Sequence, residues 1–226
     1  MTFRSLAFLF CALLTFSSLQ ADEDYADLFE QALKSVSFDF HREWAFTETS
    51  VSDDRVWVGR YDPRNPSGER WTLQSVDGRD PTDDEIEDFL DGRDEDDDGD
   101  DGDVEQLVEA DTIRLLEETD DYYLLSFIPD EDEVDFLESV DATIRINKPD
   151  GYLEYIDVHN NSTIKPTFGV NISKLITRFT FGPAATDGPI VPLSLQVEVK
   201  GRAYLLFSFD EQELRSNSDF EFAGDD

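Results

Sequence analysis

The chain predicts a mainly antiparallel β domain of the α+β class, built as a strongly curved sheet of roughly ten strands covered by two or three helices. Two observations carry this. Alternating apolar and polar runs recur from Phe38 onward, and turn signals such as Asp77-Gly78 and Lys148-Pro149-Asp150-Gly151 separate them. The longest run places Val191, Leu193, Leu195, Val197, Val199, Ala203, Leu205, Phe207 and Phe209 at every second position, broken only by Gly201. That spacing assigns them to one face of a strand. A reversal at Lys200-Gly201 would pair Val199 with Arg202 and turn Ala203, Leu205 and Phe207 to the opposite face. Parity therefore predicts one continuous strand from Val191 to Phe209, bent or bulged at Gly201. A continuous apolar face needs a cover, and segments with helical spacing supply it.

Arg4, the apolar run Leu6–Phe16 and the small residues before Asp22 read as a secretory signal peptide over residues 1–21, cleaved near Ala21. The run is shorter than the roughly 20 residues a transmembrane helix needs. Residues 22–226 then form a single β-rich domain. Tyr25, Leu28, Phe29, Ala32, Leu33 and Val36 lie on one face of an amphipathic helix, with Asp22, Glu23 and Asp24 at its N-terminus. Phe38, Phe40, Trp44 and Phe46 share the parity of a first strand, interrupted by Arg42. Val56–Val58, ending at Gly59, and Trp71–Val76 predict two more, separated by a Pro-, Asn- and Gly-rich loop. Thr82 and Glu85 have capping-box spacing ahead of Ile86, Phe89 and Leu90, which predicts a second helix. Residues 91–103 are low-complexity acid with glycines and read as a flexible loop. Leu107–Glu117 and Tyr122–Ile128 predict strands, and Asp130–Leu137 a short helix. Further strands are predicted at Ala142–Asn147, Tyr152–Val158 and Phe168–Phe181, and Asp219–Phe222 reads as a closing edge strand.

Composition excludes several functions. The single cysteine, Cys11, lies in the leader, so the exported chain is expected to be held by its core, with neither disulfides nor thiol chemistry. The formal net charge of −36 excludes a nucleic-acid partner and disfavours an anionic membrane surface. An acid excess of this size self-repels unless salt screens it, which suggests halophilic adaptation in an envelope compartment open to a salty medium. No nucleophile elbow, phosphate loop or zinc-protease motif occurs. His41 and His159 stand in no metal or triad spacing, and His41 falls at a solvent-side position of its predicted strand. No enzymatic activity is expected, and a monomer is anticipated.

Three sets of residues remain as candidates. Asp94, Asp96, Asp98, Asp100 and Glu105, with Gly99 at the turn, match the ligand spacing of an EF-hand loop, so Ca²⁺ is the one cofactor the sequence suggests. Asp101 at the normally apolar eighth position departs from that pattern, and so acidic a run also matches by chance. Arg42, Lys174 and Arg178 share parity with apolar neighbours, where a cation would meet a ligand headgroup or a buried carboxylate. Phe40, Arg42, Trp44, Phe46, Val197, Val199, Leu205 and Phe207 are the residues expected to line a ligand cavity under the apolar face. Asn160, Asn161 and Asn171 head N-x-S/T triplets, which matter only in a eukaryotic secretory pathway.

The segment Arg60-Tyr61-Asp62-Pro63, continuing through Gly68-Glu69-Arg70-Trp71-Thr72-Leu73 to Ser75-Val76-Asp77-Gly78-Arg79 and Pro81-Thr82, resembles stretches of poorly characterised envelope proteins of Gram-negative bacteria. With the order of helix and strands, the whole exported chain looks like the periplasmic lipoprotein carriers, the LolA/LolB-like half-barrels. The resemblance implies a half-open β-barrel closed by helices and a non-enzymatic periplasmic or secreted protein. It also implies a hydrophobic cavity for an apolar ligand such as a lipid or a lipoprotein acyl chain. The other reading is an envelope structural or interaction module whose acidic loop binds calcium or a basic partner.

Overall fold

A computed structural model describes residues 25–52, 55–91, 93, 108–129, 139–204 and 207–224. The predicted leader, the EF-hand-like set and the predicted helix at 130–137 lie outside these residues. Ten antiparallel strands form one open sheet: β1 (Trp44–Ser52), β2 (Arg55–Tyr61), β3 (Trp71–Val76), β4 (Arg114–Glu118), β5 (Tyr122–Phe127), β6 (Val140–Asn147), β7 (Leu153–Asn160), β8 (Val170–Pro183), β9 (Ile190–Ala203) and β10 (Phe207–Phe222). Among the described residues two α-helices accompany them, α1 (Tyr25–Lys34) and α2 (Asp83–Asp91). The spatial order is β3-β2-β1-β10-β9-β8-β7-β6-β5-β4. The first strand thus pairs with the last, and the seam falls between β3 and β4, which are successive in sequence yet sit at opposite edges.

One row of register runs across all ten strands: Leu115, Leu125, Ile144, Ile156, Phe179, Leu195, Arg215, Ser50, Trp57, Val76. Every side chain in that row points to the same face. Both helices pack on this face, at its two ends. Phe29, Ala32 and Leu33 of α1, with Val36 after it, join Leu125, Ile144, Ile146, Leu153 and Ile156 in the largest buried cluster. Phe89 of α2 packs with Leu73 and Val76. An aromatic cluster of Phe40, Phe46 and Tyr61 around Val191 lies at the base of the central strands.

The capping box of α2 forms as its spacing predicts. The Glu85 backbone N–H donates to Thr82 Oγ1 at 3.3 Å, and the Thr82 backbone N–H donates to Glu85 Oε2 at 2.9 Å. Arg79 adds bonds of 2.6 and 2.8 Å to the same carboxylate, and Arg55 one of 2.7 Å. The Arg79 guanidinium first, then the Thr82 N–H, hold the Glu85 carboxyl down at about 2, against an ordinary 4.5. A depressed carboxyl contributes stability that is fully present above the unfolded value and lost as pH falls through the folded one. Glu85→Gln should therefore melt below the parent at pH 7, with the gap closing between about pH 4.5 and about pH 2. Thermal melts across that range check it, and a gap independent of pH would refute the assignment.

Several sequence expectations are corrected. The run Val191–Phe209 is not one strand. The chain reverses between Ala203 and Phe207, and Phe209 pairs with Gly201. The reversal lies beyond Lys200-Gly201, and Gly201 sits inside β9, where an added Cβ would fall 2.3 Å from Phe209 Cζ and 2.5 Å from the Asn171 carbonyl oxygen. Residues 40–42 form a 3-10 turn rather than the start of β1, because Phe40 turns inward to meet Phe46 at a ring-centroid distance of 5.0 Å. His41 accordingly lies in this turn, edge-on to Tyr61, and not on a strand. Asp219–Phe222 is no edge strand but the end of β10, the strand that joins the two halves of the sheet. Within the strand expected at Leu107–Glu117, residues 110–112 form a 3-10 turn and β4 begins only at Arg114.

Candidate functional site

Between the parts of the sheet packed by α1 and α2, the common face changes character strand by strand. On β9, Leu195, Val197 and Val199 are half-buried and belong to none of the three clusters. Their partners on β8 are Phe179, Thr177 and Leu175, of which Phe179 and Leu175 pack on the edge of the α1 cluster. Their partners on β10 are Arg215, Glu213 and Glu211. Arg215 donates through Nε to Glu213 Oε1 at 2.5 Å, and Ser50 and Ser52 of β1 continue the polar band. The result is an apolar strip roughly 13 Å long from Leu195 to Val199, with a charged rail along one side. Such a surface suits an amphiphile, with its chain along the strip and its headgroup on the rail.

The eight predicted cavity residues are not gathered at one place. Phe40 and Phe46 are buried in the aromatic cluster, and Trp44 packs against it with its ring centroid 5.4 Å from that of Phe222. Arg42 is exposed and 3.7 Å from Asp39, in the 3-10 turn. Val197 and Val199 lie in the strip. Leu205 lies outside the described residues. Phe207 stands at the far end of β10, 15 residues from the partner of Trp44, a path of up to about 50 Å along the strand. Trp44, Phe46, Val197, Val199 and Phe207 do share one face of the sheet. A bulge between Thr47 and Ala45, where Asp219 has φ 51°, is what brings Phe220 and Phe222 onto that face with Phe46.

The opposite face carries the cations that parity singled out. A register shift between Ile172 and Lys174 leaves Ile172 on the apolar face and turns Lys174, Ile176 and Arg178 to the other. There they find buried carboxylates. Arg178 donates to Asp157 Oδ2 at 2.5 Å, and His159 Nδ1 lies 2.8 Å from Asp157 Oδ1. Lys174 Nζ is 2.6 Å and Lys200 Nζ 3.2 Å from Glu198, which also accepts from Gln212 at 3.3 Å. Lys174 first, with Lys200, pulls the Glu198 carboxyl below its ordinary range. Each of these carboxylates is thus held by at least one cation from a neighbouring strand position. Sequence reading missed Asp157, Glu198 and Arg215 because cross-strand register, not local spacing, selects them.

Among the described residues no group of three or more His, Cys, Asp or Glu is placed to hold a metal ion, and no helix is long and apolar enough to cross a membrane. Comparison with known protein families, curated proteins and solved structures yields no match.

Proposed function

We propose that this is an exported, non-enzymatic protein that binds or carries an amphiphilic apolar ligand, such as a lipid or a lipoprotein acyl chain. In this reading the sheet curls as a half-open barrel, and the ligand lies on the Leu195–Val197–Val199 strip. One observation supports it above the others. A single face runs unbroken across ten strands, its helices pack at the two ends, and an apolar strip between them stays half-buried beside Arg215. The resemblance to periplasmic lipoprotein carriers points the same way. Burial of acyl chain contributes about 0.8 kcal/mol per methylene. Half-covering ten methylenes then yields about 4 kcal/mol, which corresponds to millimolar affinity. Tighter binding requires headgroup contacts on the Arg215 rail or closer approach of the two helices.

The test is organic extraction of the purified protein followed by mass spectrometry, with displacement of a fluorescent fatty acid as the binding assay. Val197→Asp with Val199→Asp places two charges on the strip and should weaken binding at least tenfold, since each buried charge without a partner is costly. Far-UV circular dichroism should stay that of the parent. Absence of copurified lipid together with no displaceable binding would overturn the proposal.

A further inference from the structure

The three most exposed large hydrophobic side chains among the described residues are Phe168 at 93 %, Phe207 at 67 % and Tyr204 at 63 %. All three lie at one end of the molecule. Val170 of β8, Ala203 of β9 and Phe207 of β10 are in register there, and the Tyr204 backbone N–H donates to the Gly169 carbonyl at 2.6 Å. The Tyr204 ring covers Gly169, where an added Cβ would lie 2.9 Å from the ring. β8, β9 and β10 project beyond their neighbours. The last β1 partner of β10 is Glu213, and the last β7 partner of β8 is Ile176. Six residues of each strand lie beyond those rows, about 20 Å of a three-stranded finger, whose β8 edge is covered as far as Ile172 by Ile164 of the α1 cluster.

Charge distinguishes the finger from the rest of the chain. The finger and the segment 164–169 leading into it hold four cations, Lys165, Lys174, Lys200 and Arg202, and three carboxylates, Glu198, Asp210 and Glu211, in a protein of net charge −36. Lys174 and Lys200 are shared with Glu198, and Lys200 also with Asp210. Lys165 and Arg202 are exposed and form no salt bridge among the described residues. Exposed aromatics flanked by cations have the chemistry of a segment that seats at a lipid–water interface, with rings at headgroup depth and cations on lipid phosphates.

We propose that this finger docks the protein on the surface of a bilayer containing anionic lipid. The acidic body does not prevent it. Within the finger Lys174 and Lys200 offset Glu198 and Asp210. Glu211 lies four residues, about 13 Å of strand, from Phe207, which exceeds the Debye length of about 8 Å at physiological ionic strength, while Lys165 and Arg202 lie nearer the tip. The finger and the ligand strip overlap at Val199, but Phe168, Phe207 and Arg202, on which the test rests, lie outside the strip, so either reading can fail alone.

The experiment is co-sedimentation of the full chain with vesicles of phosphatidylcholine alone and of phosphatidylcholine mixed equally with phosphatidylglycerol. The N-terminal apolar run is common to every variant, so differences between variants report the finger. The parent should bind the mixed vesicles more tightly and lose binding as salt rises. Phe168→Ser with Phe207→Ser should weaken binding at least tenfold, and Arg202→Glu about fivefold or more. Phe207→Trp retains an aromatic group and should show quenching by brominated lipid. Failure of the parent to bind, equal binding by the serine variant, or an unquenched tryptophan would overturn the proposal. So would a parent dimer that the serine variant converts to monomer, which would mean that a second copy covers the tip.

Discussion

Ile144→Ala is expected to lower the unfolding free energy by about 2–5 kcal/mol, read as a fall in the urea midpoint at unchanged slope. Ile144 is fully buried, and so are its cross-strand partners Leu125 on β5 and Ile156 on β7. The same cluster takes in Phe29, Ala32 and Leu33 from α1, so the position lies where helix and sheet meet. Truncation there removes three carbons from a site whose walls are set by β pairing on two sides, which limits collapse into the cavity. Domains are stable by about 5–15 kcal/mol, so the loss is a large share of the total. Val170→Ala, at a half-buried position on the finger, serves as the contrast and should cost far less. Equal losses at the two sites would mean that the α1 cluster is not the centre of stability.

What the sequence reveals of this fold is set by the range of the signal. α1 is legible because its apolar face repeats every three or four residues within one helix, and α2 because Thr82 and Glu85 are three positions apart. The β9–β10 hairpin is not, for a geometric reason. Ala203 pairs with Phe207 across a loop of three residues, and an odd loop returns the chain with its parity unchanged. Alternation therefore reads straight through the turn as if it were one strand. Parity rightly excludes a reversal at Lys200-Gly201 but is blind to one beyond Ala203. The bulges at Ser173 and Asp219 have the opposite effect, since each switches the face of the later residues in its strand. Hence Arg178 reads as a neighbour of Ile172 in sequence and lies on the other side of the sheet. The candidate strip shows the same limit. Val197 and Val199 are visible as apolar alternation, whereas the Arg215–Glu213 rail beside them exists only through the β9–β10 register.

Gly59→Val is expected to expel the Phe89 ring and to unseat α2 from the sheet. A Cβ at Gly59 would lie 2.5 Å from Phe89 Cζ and 3.1 Å from Cε2, closer than carbon atoms pack. The backbone of β2 is held by β1 and β3, so the ring moves rather than the strand. Phe89 is 8 % exposed, lies nearly parallel to Trp57 with ring centroids 6.4 Å apart, and meets Trp71 edge-on at 6.0 Å. The Arg93 guanidinium lies 4.2 Å from both the Trp71 and Phe89 ring centroids and pairs with Glu48. Loss of the ring uncovers that pair as well. Phe89→Ala alone should cost about 3–5 kcal/mol, the usual range for a buried aromatic. The two sites share one space, so their effects should not add. With Phe89 reduced to alanine, the valine at 59 occupies room the ring has vacated. Gly59→Val should then cost about 1–3 kcal/mol less than in the parent, a coupling that urea unfolding of the four proteins measures. Additive losses would mean that α2 is not seated on Gly59, and the packing of this end of the common face would have to be redrawn.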